Sequence, residues 1–156
     1  MVSPKSPPDP KTFEEMIGRL NNIGGEPRSA VVITHLYVEY LLDWILRKKI
    51  PKPDYIINQR FYSKLKIIES LKILSDQMMH ELFIVNIIRN HFAHDIDIES
   101  HEFIKEFRNQ INQMEFYKDT PYLSTIKEPY PIYSTIMMRV YHLLKDIFDR
   151  LPNPES

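Results

Sequence analysis

The chain has no cysteine and only three glycines, none of them beyond Gly25. Without cysteine there can be no disulfide and no thiolate metal site, which accords with a cytoplasmic protein. So few glycines exclude the glycine-rich loops that cradle phosphates. They also exclude the Asn-Gly and Asp-Gly turns that mark hairpins. No uninterrupted apolar run approaches the roughly 20 residues of a membrane span. The opening residues Met1-Val2-Ser3-Pro4-Lys5 lack the apolar core of a secretory signal. The formal net charge is −1, so the chain as a whole is no polycation built for nucleic acid. The expectation is a cytoplasmic protein with no membrane segment and no cofactor.

What is present reads as helix. The chain has 156 residues, 43% of them hydrophobic, which suffices for one domain with a real core. Its prolines fall in clusters at 4–10, 51–53, 121–131 and 152–154, and these punctuate long helical patterns. Residues 1–10 read as a disordered arm, 11–151 as one domain and 152–156 as a tail. A first helix is predicted from about Lys11 to Ile23, with Thr12 and Glu15 as a capping box and Gly24-Gly25 as its end. A second runs from Pro27 to about Lys49 and is apolar around most of its circumference, so it belongs at the centre. A third covers about Asn58 to Leu74. Ser75 then caps a fourth, striped by Met78, Leu82, Val85, Ile88 and Phe92. A fifth is expected over about Glu99 to Glu115, a loop over 118–131, and a sixth helix over about Ile132 to Leu151. The fold class is all-α, a single-domain bundle of about six helices.

Charge is unevenly spread along this pattern. Seven basic residues (Arg47, Lys48, Lys49, Lys52, Arg60, Lys64, Lys66) lie between Ile45 and Lys66, against the single acid Asp54. Six acids (Asp95, Asp97, Glu99, Glu102, Glu106, Glu115) lie between Asp95 and Glu115, against Lys105 and Arg108. A solvated charged face explains such runs, and so does an RNA or phosphate footprint. On the second reading the candidate contacts are Lys48, Lys49, Arg60, Lys64 and Lys66.

The fourth helix ends in Arg89-Asn90-His91-Phe92-Ala93-His94. Arginine offers phosphate a planar fork of donors, and histidine moves a proton near neutral pH. Arg89, Asn90 and His94 are therefore candidate catalytic residues for chemistry on a phosphodiester without a metal. Positions five apart on a helix point about 140° apart, so Arg89 and His94 share no face of a regular helix. Either the helix breaks near His94, or another element or subunit completes the site. The plainer alternatives are a structural salt bridge for Arg89 and a helix-end hydrogen bond for His94.

The second helix carries Arg28, His35, Glu39 and Asp43 within roughly 80° of arc. A buried charge costs several kcal/mol unless it is paired. Glu39 is therefore expected to meet a cation, first of all Arg89, or to pair at the surface with His35, Arg28 or Lys48. His35, Glu39 and Asp43 are candidate supporting residues. No His-Glu-x-x-His pattern occurs, and His80, His101 and His142 are scattered, so no metal site is expected.

Arg-Asn-x-x-Ala-His at 89–94 resembles the Arg-x4–6-His signature of HEPN domains, in which a polar residue follows the arginine. Upstream, Phe61-Tyr62-Ser63-Lys64-Leu65-Lys66, Leu71-Lys72-Ile73-Leu74-Ser75 and Leu82 to Ile88 are similar to the mannitol operon repressor-like (MltR-like) branch. So is the long helix from Ser29 to Leu46 around Glu39. The resemblance covers about residues 28–96. It implies an all-α domain that dimerises with its motifs near the two-fold axis. In HEPN nucleases it also implies metal-independent RNA cleavage. His94 would act as general acid or base on the ribose 2′-hydroxyl and the leaving oxygen. Arg89 would stabilise the transition state, and Asn90 would orient one of the two. A protein partner such as an antitoxin or regulator would fit that picture. MltR-like members, however, look like transcriptional regulators while carrying the same string. The resemblance therefore implies two alternatives, a homodimeric endoribonuclease and a non-catalytic regulator acting through protein contacts. A nucleotide- or small-ligand-binding module is a third reading. No helix-turn-helix is legible, which argues against direct DNA repression.

Overall fold

The computed structural model describes residues 13–24, 26–95 and 97–152. Among them the chain is all-helical, with eight α-helices: α1 (Phe13–Asn22), α2 (Pro27–Lys49), α3 (Asp54–Ile57), α4 (Phe61–Ser70), α5 (Asp76–His94), α6 (His101–Ile111), α7 (Glu115–Lys118) and α8 (Pro129–Arg150). The expected arm at 1–10 and the Thr12 end of the capping box lie outside the described residues.

Local chemistry explains most of the boundaries. Glu26 accepts from the backbone N–H groups of Arg28 and Ser29, and Pro27 stands at the first turn where a missing N–H costs nothing. Ser75 accepts from Met78 N, and Ser100 from Phe103 N, so each starts its helix as an N-cap. Gly24, at φ 63°, takes the left-handed conformation that ends α1.

The third predicted helix is divided and shortened. Asp54–Ile57 forms one separate turn, and α4 stops at Ser70. Its end is a Schellman closure: Ile73 N donates to Ile68 O at 3.4 Å and Lys72 N to Glu69 O at 3.1 Å. The left-handed position is occupied by Lys72 at φ 54°. With lysine where glycine is usual, the sequence carries no stop signal there. The fifth helix is also shorter than its periodicity suggests, starting after the Ser100 cap, and α7 is a separate turn. The predicted loop at 118–131 holds a 3-10 turn over Pro121–Thr125 and the start of α8.

Helix α2 lies at the centre, packed most extensively along α8 and also against α1 and α5. By length and composition it is apolar enough to cross a membrane, although the polar residues spaced through it leave no uninterrupted apolar run of that length. Here most of that surface is covered by protein. Val38, Leu42 and Leu46 are fully buried with Leu82 and Val85 of α5 and Val140 and Leu144 of α8. Each such side chain stabilises the fold by roughly 1.5–3 kcal/mol. Phe92 near the end of α5 packs against Phe103, Phe107 and Tyr133, which anchors the motif-bearing turn to α6 and α8.

Because Lys72 holds a conformation that disfavours a side chain, Lys72→Gly should raise unfolding stability by about 0.5–1 kcal/mol in urea titration. An unchanged or lowered stability would show that the closure is not strained.

Candidate functional site

The most heavily charged part of the interior is assembled by α2 and α4. Glu39 and Asp43, four residues apart, share one face of α2. Lys64 of α4 reaches between them, with its Nζ 2.7 Å from Asp43 Oδ1 and 3.0 Å from Glu39 Oε1. Lys64 is 1% exposed. Its placement follows from the phase of α4, because Phe61, Leu65 and Ile68 face the core and Lys64 lies within the same arc.

His35 sits one turn before Glu39. Its ring meets Phe61 edge-on at 4.4 Å, and its Nε2 is 3.9 Å from Glu39 Oε2. It is 2% exposed, and neither ring nitrogen has a hydrogen-bond partner among the described residues. Burial, reinforced by the charges of Arg89 and Lys64, pushes His35 down to about 3, so the ring is neutral at ordinary pH. Burial pushes Asp43 the other way, up to about 6, with Lys64 opposing.

Arg89 does not meet Glu39 as expected. Lys64 occupies that role, and no ion pair of Arg89 occurs among the described residues. The half-buried guanidinium donates from Nη1 to Asn90 Oδ1 at 3.1 Å, while its buried Nε has no partner among the described residues. Its charge is felt by His35 and by the Tyr133 hydroxyl, which burial drives well above the ordinary tyrosine range and which also lacks a partner among the described residues.

Helix α5 stays regular to His94 and closes at Asp95, whose N–H donates to His91 O at 3.0 Å. Arg28 donates to the Asp95 carbonyl, tying the start of α2 to this end. A break that would swing the histidine back is therefore absent. Arg89 turns toward α2 and α8, whereas His94 is exposed on another face. His94 opens onto a depression of about 650 Å³ lined by His91, Asp95, Asp97, Ser100, Glu102, Phe103 and Glu106. Within it His91 Nδ1 is 3.5 Å from Asp95 Oδ2, and His91 Nε2 is 3.9 Å from Glu106 Oε1.

The basic candidates separate. Lys64 is sequestered by its two carboxylates and is corrected from a phosphate contact to an internal cation. Lys48 donates to the carbonyls of Phe148 (2.9 Å) and Leu151 (3.2 Å) and lies 3.8 Å from the Phe148 ring centroid, so it serves the end of α8. Lys49, Arg60 and Lys66 are exposed. Among the described residues no group of three or more His, Cys, Asp or Glu is placed to hold a metal ion.

Three residues escaped the sequence reading. His91 could have been found from its i,i+4 spacing to Asp95. Tyr133 carried no signal, because its approach to Arg89 depends on how α8 crosses α5. Glu81, fully buried, accepts from Glu115 N at 2.6 Å and Phe116 N at 3.2 Å and thereby caps α7 across 34 residues of chain. Comparison with protein-family models, curated proteins and solved structures found no match for the chain.

Lys64→Met strands Asp43 and Glu39 and should cost about 3–5 kcal/mol in chemical denaturation. Adding Asp43→Leu and Glu39→Met should restore most of that loss, and no recovery would mean that Lys64 acts through more than its charge. His35, held neutral when folded, takes up a proton in the unfolded chain below its ordinary 6.5. Its contribution is therefore lost as pH falls from 6.5 toward 3. The raised Asp43 works oppositely, favouring the folded state below pH 4 and fading as pH rises through 6. The stability difference between wild type and His35→Leu isolates the histidine. It should shift in favour of the variant by up to about 1.4 kcal/mol per pH unit on acidification through that window. A pH-independent difference would show that His35 takes up its proton in the fold as readily as in the unfolded chain.

Proposed function

We propose that this chain is a HEPN-like helical module, closest in character to the MltR-like branch, that acts without catalysis as a regulator through protein contacts and pairs with a second copy of itself. The observation that carries the reading is the separation of Arg89 from His94 and the acidity around the latter. A phosphodiester at His94 would face the carboxylates of Asp95, Asp97, Glu102 and Glu106, with no lysine or arginine lining the same depression. Like charges at such a site repel an RNA backbone.

An apolar groove on another face supports the protein-contact reading. Between α2 and α5 lies a groove of about 380 Å³ lined by Arg28, Ser29, Val31, Val32, Ile33 and Ala93. Val32 is 50% exposed, and Leu36 and Tyr40 continue the half-exposed apolar strip along α2. Contiguous apolar surface of this kind suits association with protein. Asn90, holding the Arg89 guanidinium, lies on the neighbouring side of α5.

One observation favours the rival reading, a homodimeric metal-independent endoribonuclease. The Arg89–Asn90 hydrogen bond draws the guanidinium toward the face that Asn90 shares with His94, so two chains could join Arg89 and Asn90 of one copy to His94 of the other. In that arrangement His94 would move the proton of the 2′-hydroxyl, and Arg89 would meet the charge on phosphorus.

Single-stranded RNA incubated in EDTA with the purified protein, or with His94→Ala, should remain intact, and light scattering should give a dimer mass that Val32→Asp converts to monomer. Cleavage by wild type that His94→Ala abolishes would replace the regulatory reading by the nuclease. A monomeric wild type would remove the self-pairing.

A further inference from the structure

The segment from Lys49 to Lys72 combines two properties not found together elsewhere among the described residues. Three of the six exposed large hydrophobic side chains lie in it: Tyr55 at 72%, Tyr62 at 52% and Leu71. It also exposes five cations, Lys49, Lys52, Arg60, Lys66 and Lys72, against two exposed acids, Asp54 and Glu69. None of those cations has an ion pair among the described residues. By contrast, Lys64, which looks in sequence like one more member of the row, is withdrawn into the core by Asp43 and Glu39.

Tyr62 and Lys66 are four apart on the outer face of α4. The Lys66 ammonium lies 5.4 Å from the Tyr62 ring centroid, and the half-buried Phe83 of α5 supports the ring edge-on at 5.9 Å. The ring thus has an aromatic neighbour edge-on and a positive charge over it, and is still half open to solvent. Tyr55 precedes it on the neighbouring turn, with Arg60 in the connection between the two helices. Aromatic faces beside unpaired cations match the two requirements of a flexible polyanion with stackable bases: rings for the bases and point charges for the backbone.

We infer that the α3–α4 surface binds single-stranded nucleic acid, with Tyr55 and Tyr62 stacking on bases and Arg60 and Lys66 contacting phosphates. The surface is separate from the Arg89–His94 motif, and the binding does not depend on whether that motif cleaves. An acidic protein could also use cations and rings, but a single strand offers a stackable base beside every backbone charge and so matches the alternation of Tyr55, Arg60, Tyr62 and Lys66.

Labelled oligothymidine of about twelve nucleotides tests this by fluorescence anisotropy at low salt. It lacks the 2′-hydroxyl that cleavage would need, so binding is read independently of the motif's chemistry. The single strand should bind more tightly than a duplex of the same length or heparin. Tyr55→Ala and Tyr62→Ala should each weaken it by about 5- to 100-fold, as expected for losing one stacked base. Tyr62→Phe should retain it, and so should Tyr122→Ala, an exposed tyrosine elsewhere. Lys66→Ala should lower the slope of log affinity against log salt by about 0.7. Absence of binding at low salt overturns the inference. So does equal affinity for heparin, or a Tyr62→Ala variant that keeps its fold and binds like wild type.

Discussion

The Lys64 ammonium between Asp43 and Glu39 is the interaction on which the arrangement of α2, α4 and α5 depends. Without it, α2 would bring two carboxylates to the edge of an apolar core, a cost of several kcal/mol for each unpaired charge. With it, α4 is held in register against α2, and Phe61 is seated where it meets His35 edge-on. His35 in turn stays neutral because burial and the charges of Lys64 and Arg89 all oppose protonation. The interior thus contains a chain of charge relations running from α4 through α2 to the motif on α5.

That chain changes how the motif is understood. Arg89 does not neutralise Glu39, because a lysine already does. Among the described residues its guanidinium has one side-chain partner, Asn90, and its buried Nε has none. Buried donors without partners are uncommon in folded proteins. Among the described residues such groups occur on His35, Arg47, Arg89 and Tyr133, and those on His35, Arg89 and Tyr133 come one each from α2, α5 and α8. At the other end of the same two turns, His94 stands in an acidic depression. The motif is therefore one continuous string in the sequence but two environments in space, one cationic and interior, the other acidic and open.

Much of the architecture was legible beforehand. The limits of α2, the Ser75 cap and the stop at Asp95 are local events, written in Pro27, in a hydroxyl three residues before a free N–H, and in the Asp-Ile-Asp that follows His94. Boundaries without a local marker were misplaced. The Schellman closure at Lys72 is one, because lysine is not what that conformation selects. The division of the fifth helix is another, since α7 is capped by Glu81 from a distant part of the chain.

The candidate residues divide along the same line. Sequence by itself determined the all-α class, the central place of α2, the shared face of His35, Glu39 and Asp43, and the divergence of Arg89 from His94, because helical periodicity fixes angles within one helix. Only the tertiary structure decided that Lys64 leaves the row of basic residues for the core, that Lys48 serves the end of α8, and that acids from α6 surround His94. Those outcomes depend on how one helix is rotated and crossed against another. No periodicity within a single segment encodes that, because the energy that selects it comes from packing and charge pairing between segments. The hexapeptide at 89–94 was visible as a unit in the chain; it is the packing of α2, α4, α6 and α8 around it that gives its arginine and its histidine different surroundings.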